Sequence, residues 1–394
     1  MTPKNFVTIY HRLYNVELTK PPGMIPWYIS KVSGGAVKTS LVGYNVSGEN
    51  FTYYERMKDN LSLVLFKSPG RLETQLHFKL TLYLARHART IDMLHLYHYC
   101  WATLFKCLIY RILNPNGCLY VKLDADWRIR GFFEPGKRHG LKKLLGPIRP
   151  SHLCRRFING LANIISVETT ALYDYLMSQS DGQLRKKLFL NPYGLPIEEM
   201  DDYALRNKKR KEHLVITVGR LGTEQKNTEL LMESIARIKD HKDWKYAFIG
   251  PYDALFEKYV GEYFLRYPWL KNIVQCPGNI SERPALYDFY HRASIFCLTS
   301  RFESWAIVLT EAAYFGDYII TTDVGCAREI TDNGKLGCIM DDMTPDSLAD
   351  KLQGIINGSI MITREAAAAA ERCKRDFSWA AVVKRLIERS KVLI

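Results

Sequence analysis

The stretch from Ile295 to Asp323, IFCLTSRFESWAIVLTEAAYFGDYIITTD, constrains this chain more than any other. Ile295 to Thr299 is a short apolar run of β-formers. Ser300 to Ser304 is polar and interrupts it. Ala306 to Phe315 has the composition of a helix, and Gly316 just beyond suits a left-handed C-cap. Tyr318 to Thr322 reads as a second buried strand. Strand, loop, helix and strand in this order predict two parallel strands joined by a right-handed crossover. The helix then begins at the carboxyl edge of the sheet, where its unpaired N–H groups favour anions and nucleotides.

Leu214 to Val218 repeats the pattern: a strand, then GRLGTEQKN, then a helix expected over Thr228 to Ile238. Gly219, Arg220 and Lys226 lie at this strand-to-helix junction, which places two cations where a phosphate would sit. In the later unit, Glu303 lies in the loop before the helix. Glu311 lies inside that helix, roughly 9 Å along its axis at about 1.5 Å per residue. A pyrophosphate at the helix start would leave Glu311 near an attached ribose. Two glutamates at this spacing are also common as solvated helix-end charges.

Glu-x7-Glu in this setting, with Gly219, Arg220 and Lys226 upstream and Asp323-Val-Gly-Cys-Ala-Arg-Glu-Ile330 downstream, resembles retaining glycosyltransferases of family 4, the glycosyl transferases group 1. The resemblance is strong over Leu214 to Asp341. It implies the GT-B fold, an α/β architecture of two Rossmann-like domains facing a central cleft. The N-terminal domain, residues 1–196, would take the acceptor, with a last helix over 378–394 packing back on it. Residues 197–377 would take the nucleotide-sugar donor, and the charged stretch 196–213 reads as the linker.

The same resemblance implies roles. Arg220 and Lys226 would hold the diphosphate, and the helix-start N–H groups of Ala306, Ile307 and Val308 the distal phosphate. Glu303 would hold sugar hydroxyls, and Glu311 the ribose. The base would lie against the loop Pro277 to Ser281, including Ile280, with Pro251 lining the site beside Gly250 and Tyr252. The donor would be a nucleotide-diphosphate sugar of UDP or GDP type, with no cofactor and no metal. The acceptor would be a glycan or a lipid-linked hydroxyl, in surface polysaccharide or glycoconjugate synthesis.

The N-terminal half gives fewer landmarks. Phe6 to Tyr10, Ala36 to Tyr44, Leu61 to Phe66 and Cys118 to Leu123 read as strands, Gln75 to Arg89 as a helix. Lys20 to Pro26 reads as a loop. Gly23 is its candidate for the family's glycine near the donor phosphate, with a plain turn residue as the alternative. Asp92 to His98 resembles the family's strand ending in a cleft histidine, which selects His98 ahead of His95 as a donor-sugar contact. Asp124-Ala-Asp126 is also the metal-binding form of the other glycosyltransferase fold, GT-A. Because the phosphate motif with its cations lies elsewhere, Asp126 is assigned to the acceptor side and Asp124 to structure.

Charge and composition exclude several classes. The formal net charge is +14, and residues 1–198 hold 27 Lys and Arg against 13 Asp and Glu. The densest part, Arg128 to Arg156, has nine basic residues and one acid. Such a patch suits an anionic membrane surface or a lipid-pyrophosphate acceptor, with a merely solvated basic face as the plain alternative. Nucleic acid is disfavoured, since no aromatic-basic motif or recognition helix accompanies it. Nine cysteines without C-x-x-C spacing argue for free thiols in a reducing compartment. Met1-Thr-Pro-Lys does not read as a signal peptide, and Trp101 to Leu113 is too short to span a bilayer. The expected location is therefore cytoplasmic, at the membrane face. A hydride-transfer enzyme is disfavoured because no G-x-G-x-x-G follows the first strand. A nucleotide-sugar hydrolase or epimerase, and a non-catalytic sugar-nucleotide adaptor, stay open as alternatives.

Overall fold

The computed structural model describes residues 4–67, 77–125, 150–179, 182–342 and 344–393, with backbone only for 150–153. The chain divides into two units: Met1–Gly194 with Trp379–Ile394, and Leu195–Ser378. Asp126, Trp127, Phe132, Phe133 and most of the basic run lie outside the described residues.

The first unit carries strands β1 (Lys4–Leu13), β2 (Val37–Asn45), β3 (Ser62–Lys67), β4 (Met93–Tyr97), β5 (Cys118–Lys122), β6 (Ile164–Val167) and β7 (Leu188–Leu190). They form one sheet in the order β3-β2-β1-β4-β5-β6-β7, with every pair parallel. Its helices are α1 (Pro21–Val32), α2 (Phe78–His87), α3 (Trp101–Leu113), α4 (Pro150–Leu161), α5 (Thr170–Gln179) and α6 (Gly182–Lys187). Every residue of β4 and β5 is buried, as an interior parallel strand covered on both faces requires. The strand order reverses between β1 and β4, which opens a crevice at their carboxyl ends.

The second unit carries β8 (Leu214–Val218), β9 (Lys245–Ile249), β10 (Val274–Gly278), β11 (Ile295–Leu298), β12 (Tyr318–Thr322) and β13 (Cys338–Met340). Their order is β10-β9-β8-β11-β12-β13, again all parallel, with the reversal between β8 and β11. Its helices are α7 (Ile197–Arg206), α8 (Thr228–Ile235), α9 (Ala254–Arg266), α10 (Arg283–Arg292), α11 (Ile307–Tyr314), α12 (Ala327–Thr331), α13 (Pro345–Ile356) and α14 (Thr363–Asp376). Gly316 takes φ +82° just after α11, the left-handed stop expected there. The last helix, α15 (Trp379–Ser390), belongs to the first unit and packs on α1. Its buried face is Trp379, Val382, Val383 and Leu386.

Chain exit from the first sheet is a close-packed corner. Tyr193 stacks on Trp379, and a Cβ on Gly194 would come within 2.6 Å of the Trp379 backbone. Upstream, Lys122 and Glu168 form a wholly buried ion pair at 2.8 Å. Lys122 also donates to the Asn191 carbonyl, while Glu168 accepts from the Asp124 and Ala125 N–H groups. The pair thus ties together the ends of β5, β6 and β7.

Three local expectations fail. Gly23 is not a loop residue but sits in the first turn of α1, buried. Pro21 and Pro22 start that helix, because proline suits its first turn, where N–H groups lack partners anyway. Glycine is required at 23 because a Cβ would lie 2.5 Å from the Leu18 backbone. The charged stretch after residue 196 is not a plain linker either: Ile197–Arg206 is helical and buries Met200. Pro277 and Gly278 end a strand rather than belong to a loop.

Candidate functional site

The site is built where the second sheet reverses. The loop after β8 and the loop after β11 leave neighbouring strands and converge. Lys226, from the first, pairs with Glu303, from the second, at 2.6 Å. Both side chains are mostly buried. Gln225 donates to the Phe302 carbonyl at 3.1 Å and to Glu303 Oε2 at 3.4 Å. Its own Oε1 accepts from Arg220 at 2.7 Å. Arg220, Gln225, Glu303 and Lys226 therefore form one connected group, in which Gln225 joins the exposed cation to the carboxylate.

Small residues make this packing possible. A Cβ on Gly219 would meet the Lys226 stem at 3.1 Å, and one on Gly250 would strike the Gly219 carbonyl at 1.8 Å. Gly250 takes φ +140°, open to glycine and rarely to other residues. Gly325 does the same on the other side, where a Cβ would lie 2.5 Å from the Trp305 carbonyl and 3.0 Å from Glu303 Cβ. The Pro251 carbonyl accepts from the Leu221 N–H, which fixes the loop after β9 against that after β8.

Ala306 lies outside the helix it was expected to begin. It caps α11 in the left-handed region, at φ +67°. That turn is unusual for a residue with a Cβ, and it is locked by buried Trp305, whose Nε1 donates to Thr310 Oγ1 at 3.0 Å. No side chain caps α11, so the first N–H groups around half-buried Ile307 and Val308 are left for an acceptor.

Glu311 sits on α11, buried. Its Oε1 accepts from Arg283 and its Oε2 from the Tyr290 hydroxyl at 3.0 Å. Burial would lower the Arg283 guanidinium, but the Glu311 carboxylate overrides this and keeps it protonated. Burial, then Glu311, raises Tyr290, so its hydroxyl stays a donor. Ile280 lies half-buried two residues past β10, ahead of Arg283 at the start of α10. Sequence reasoning did not single out Gln225 or Arg283, which are found only through partners distant in the chain.

A cavity of ≈ 740 Å³ opens along the same carboxyl edge, lined by Asn227, Ser300, Arg301, Thr322, Asp323 and Val324 among others. Lys226 and Glu303 do not line it. In the first unit, His98 follows β4 directly, exposed and at φ +61°. Its Nδ1 donates to the Leu123 carbonyl at 2.8 Å, so Nε2 is the ring nitrogen that can accept. His95 is buried, its Nδ1 bonded to Thr8 Oγ1 at 3.0 Å. Asp124 accepts from the Tyr193 hydroxyl. All nine cysteines are free thiols.

Residues 202–373 match the family model described as Glycosyl transferases group 1. Over 97 residues the chain is 30% identical to the glycogen synthase of Mycobacterium tuberculosis (strain CDC 1551 / Oshkosh), a match that covers 25% of this chain and 23% of that protein. The chain therefore aligns with less than a quarter of that relative's length. Two solved structures are similar over nearly the whole chain. Anabaena Alr3699/HepE in complex with UDP has a TM-score of 0.69 at 15% identity, covering 98% of both chains. Sucrose-phosphate synthase from Thermosynechococcus elongatus has a TM-score of 0.70 at 15% identity, also covering 98% of both. At this identity the likeness shows the fold, which is GT-B: two Rossmann-like domains, each with one parallel sheet.

Proposed function

We propose that the chain is a retaining glycosyltransferase of family 4 that moves a hexose from a nucleotide-diphosphate sugar to a hydroxyl of a glycan or lipid-linked acceptor. The observation that carries this reading is the connected group Arg220, Gln225, Glu303 and Lys226 at the β8/β11 reversal, inside the segment that matches the family model. The UDP complex of the Anabaena neighbour, and the UDP-glucose complex of the same protein, support UDP as the donor nucleotide.

In this reading the C1–O bond to the diphosphate breaks and negative charge gathers on the leaving phosphate. Arg220 grips phosphate oxygens with its planar fork, Lys226 adds a point charge, and the uncapped start of α11 supplies N–H donors. Glu303, held by Lys226 and Gln225, accepts hydrogen bonds from the donor sugar and is not free to act as a nucleophile. The acceptor hydroxyl attacks the face the diphosphate leaves, and a phosphate oxygen takes its proton. Glu311 holds the ribose, with Arg283 fixing its carboxylate. His98 turns its Nε2 to the donor sugar. The loop containing Pro251 and that containing Ile280 border the nucleotide.

The reaction needs no metal in this reading, because the chain itself supplies the cations. The basic N-terminal half holds the enzyme to the cytoplasmic face of an anionic membrane, which suits surface polysaccharide or glycoconjugate synthesis. The test is a thermal-shift screen against UDP-, GDP- and ADP-sugars, then sugar release with and without acceptors. A donor well above its Kd raises stability by a few kcal/mol. No stabilisation by any nucleotide sugar would overturn the reading, and release only to water would mark a hydrolase.

A further inference from the structure

Where the first sheet reverses, between β1 and β4, a lysine, an arginine and three histidines come together. Lys106, on α3, is completely buried. Among the described residues its Nζ meets only His11 Nε2 at 3.3 Å and the Ala102 carbonyl at 3.2 Å. His11 comes from the end of β1 and stacks on His77 at 4.1 Å between ring centres. Buried His77 Nδ1 has no hydrogen-bond partner among the described residues. Arg12 and His98 are exposed at the rim. Among the described residues, no carboxylate forms an ion pair with Lys106 or Arg12.

The electrostatics agree with the geometry. Burial lowers His11 to about 2, and Lys106, His77, His98 and Arg12 all push it the same way. His77 falls to about 4 through burial, then Lys106 and Arg12. Lys106 itself is lowered to about 8 by burial, and only the Cys100 and Cys107 thiols oppose this. Contrast Lys122, equally buried, which has Glu168 at 2.8 Å. A buried ammonium without a carboxylate is costly unless an anion completes it. Lys106 lies beside a sheet reversal, where ligands bind in open α/β sheets. The first turn of α3 adds N–H groups that no side chain caps.

We infer that this crevice is a phosphate-binding subsite, in which Lys106, His11, His77 and Arg12 hold a phosphate or pyrophosphate ester carried by the acceptor. The inference rests on the reading of the first unit as the acceptor domain, and it names the class of acceptor. The bound phosphate anchors the substrate; the reacting hydroxyl belongs to another part of the same molecule.

The test is isothermal titration of inorganic pyrophosphate into the full chain already saturated with UDP, so that a diphosphate site in the second unit is occupied. Wild type should bind. Lys106→Met should weaken binding by about tenfold or more, the effect of one lost bond to a charged group. Arg12→Gln, at the exposed rim and safe for folding, should weaken it by about threefold. No heat with wild type, or equal affinity in both variants, overturns the subsite. Vesicles of phosphatidylglycerol in phosphatidylcholine then compete with pyrophosphate. Displacement assigns the anion to a lipid headgroup, and no displacement assigns it to a soluble phosphate; both keep the subsite. UDP binding is measured first. Its absence would strike the donor-site reading alone, since the comparison of variants still reports on Lys106 and Arg12.

Discussion

Lys226 and Glu303, 77 positions apart in sequence, meet at 2.6 Å with little of either side chain exposed. Each comes from a loop on one side of a sheet reversal, so folding of the second unit alone brings them together. Lys226 thus arrives already oriented by a carboxylate, and Glu303 by a cation. Loss of one oriented donor to developing charge costs about 2.7–4 kcal/mol, two to three orders of magnitude in rate. Lys226→Ala and Arg220→Ala should each lower kcat by that much. Circular dichroism and melting of Arg220→Ala should match wild type, since Arg220 is exposed. Wild-type turnover in both variants would remove them from the mechanism.

Gln225 is a positioning residue. It accepts from Arg220 and donates toward Glu303, so Gln225→Ala should free both. A bond to a charged group contributes about 1.5–3 kcal/mol, which predicts kcat down by about tenfold or more with KM for the donor changed less. In a double-mutant cycle with Arg220→Ala the losses should not add. Additive losses would mean that Gln225 acts independently of Arg220.

Metal removal gives an independent check. Arg220, Lys226 and the start of α11 can balance a departing diphosphate without a divalent ion. Transfer should survive EDTA at full rate. Activity lost in EDTA and restored by manganese would shift attention to the Asp124–Asp126 pair. Asp124 is bound by the Tyr193 hydroxyl, so it would have to exchange that partner.

The second unit was legible because its strands are short apolar runs and the candidate site residues lie at their ends. Leu214–Val218 and Tyr318–Thr322 fall where the pattern puts them, and Gly219, Arg220 and Lys226 occupy the junction their types suggest. What the sequence hides is pairing at a distance. Nothing local marks Gln225 as the link to Glu303, or Arg283 as the partner of Glu311. In the first unit, paired prolines suggested a loop although proline also starts helices, and that error misplaced Gly23. The run RNKKRKEH drew attention to charge, while Met200 just ahead of it is the buried anchor of α7. The crevice of His11, Arg12, His77 and Lys106 was invisible because these residues come from three separate segments.

Asp317 provides a pH signature. It is completely buried; Lys211 Nζ approaches its Oδ1 at 2.5 Å, and its Oδ2 has no partner among the described residues. Burial raises its carboxyl to about 7, against the opposing pull of Lys211. A carboxyl raised above its unfolded value holds its proton longer in the folded chain. Its contribution to stability is therefore full below about pH 4 and is lost as pH rises to about 7. At about 1.4 kcal/mol per unit the change amounts to up to about 4 kcal/mol. Denaturant unfolding of wild type and Asp317→Asn from pH 4 to 7 should show wild type losing stability relative to the variant. A constant difference across that range would show that Asp317 titrates as an ordinary carboxylate.

Membrane attachment is the last expectation, and two observations converge on it. The whole net charge of +14 lies in residues 1–198. In the same unit α3 leaves Trp101, Phe105, Leu108 and Ile112 exposed, with Ile112 at 77%. These positions follow helical spacing and form one apolar stripe. Among the described residues no helix is long and apolar enough to cross a membrane. A stripe of this kind can enter the headgroup layer while basic residues hold the surface, each contributing about 1 kcal/mol within a Debye length. Co-sedimentation with anionic liposomes should be strong at low salt and weak at high salt, and neutral liposomes should retain little protein. Ile112→Glu should reduce binding to the anionic vesicles without changing the melting temperature, because the side chain already faces water. Equal retention on neutral and anionic lipid would remove charge from the account, and no effect of Ile112→Glu would remove the α3 stripe.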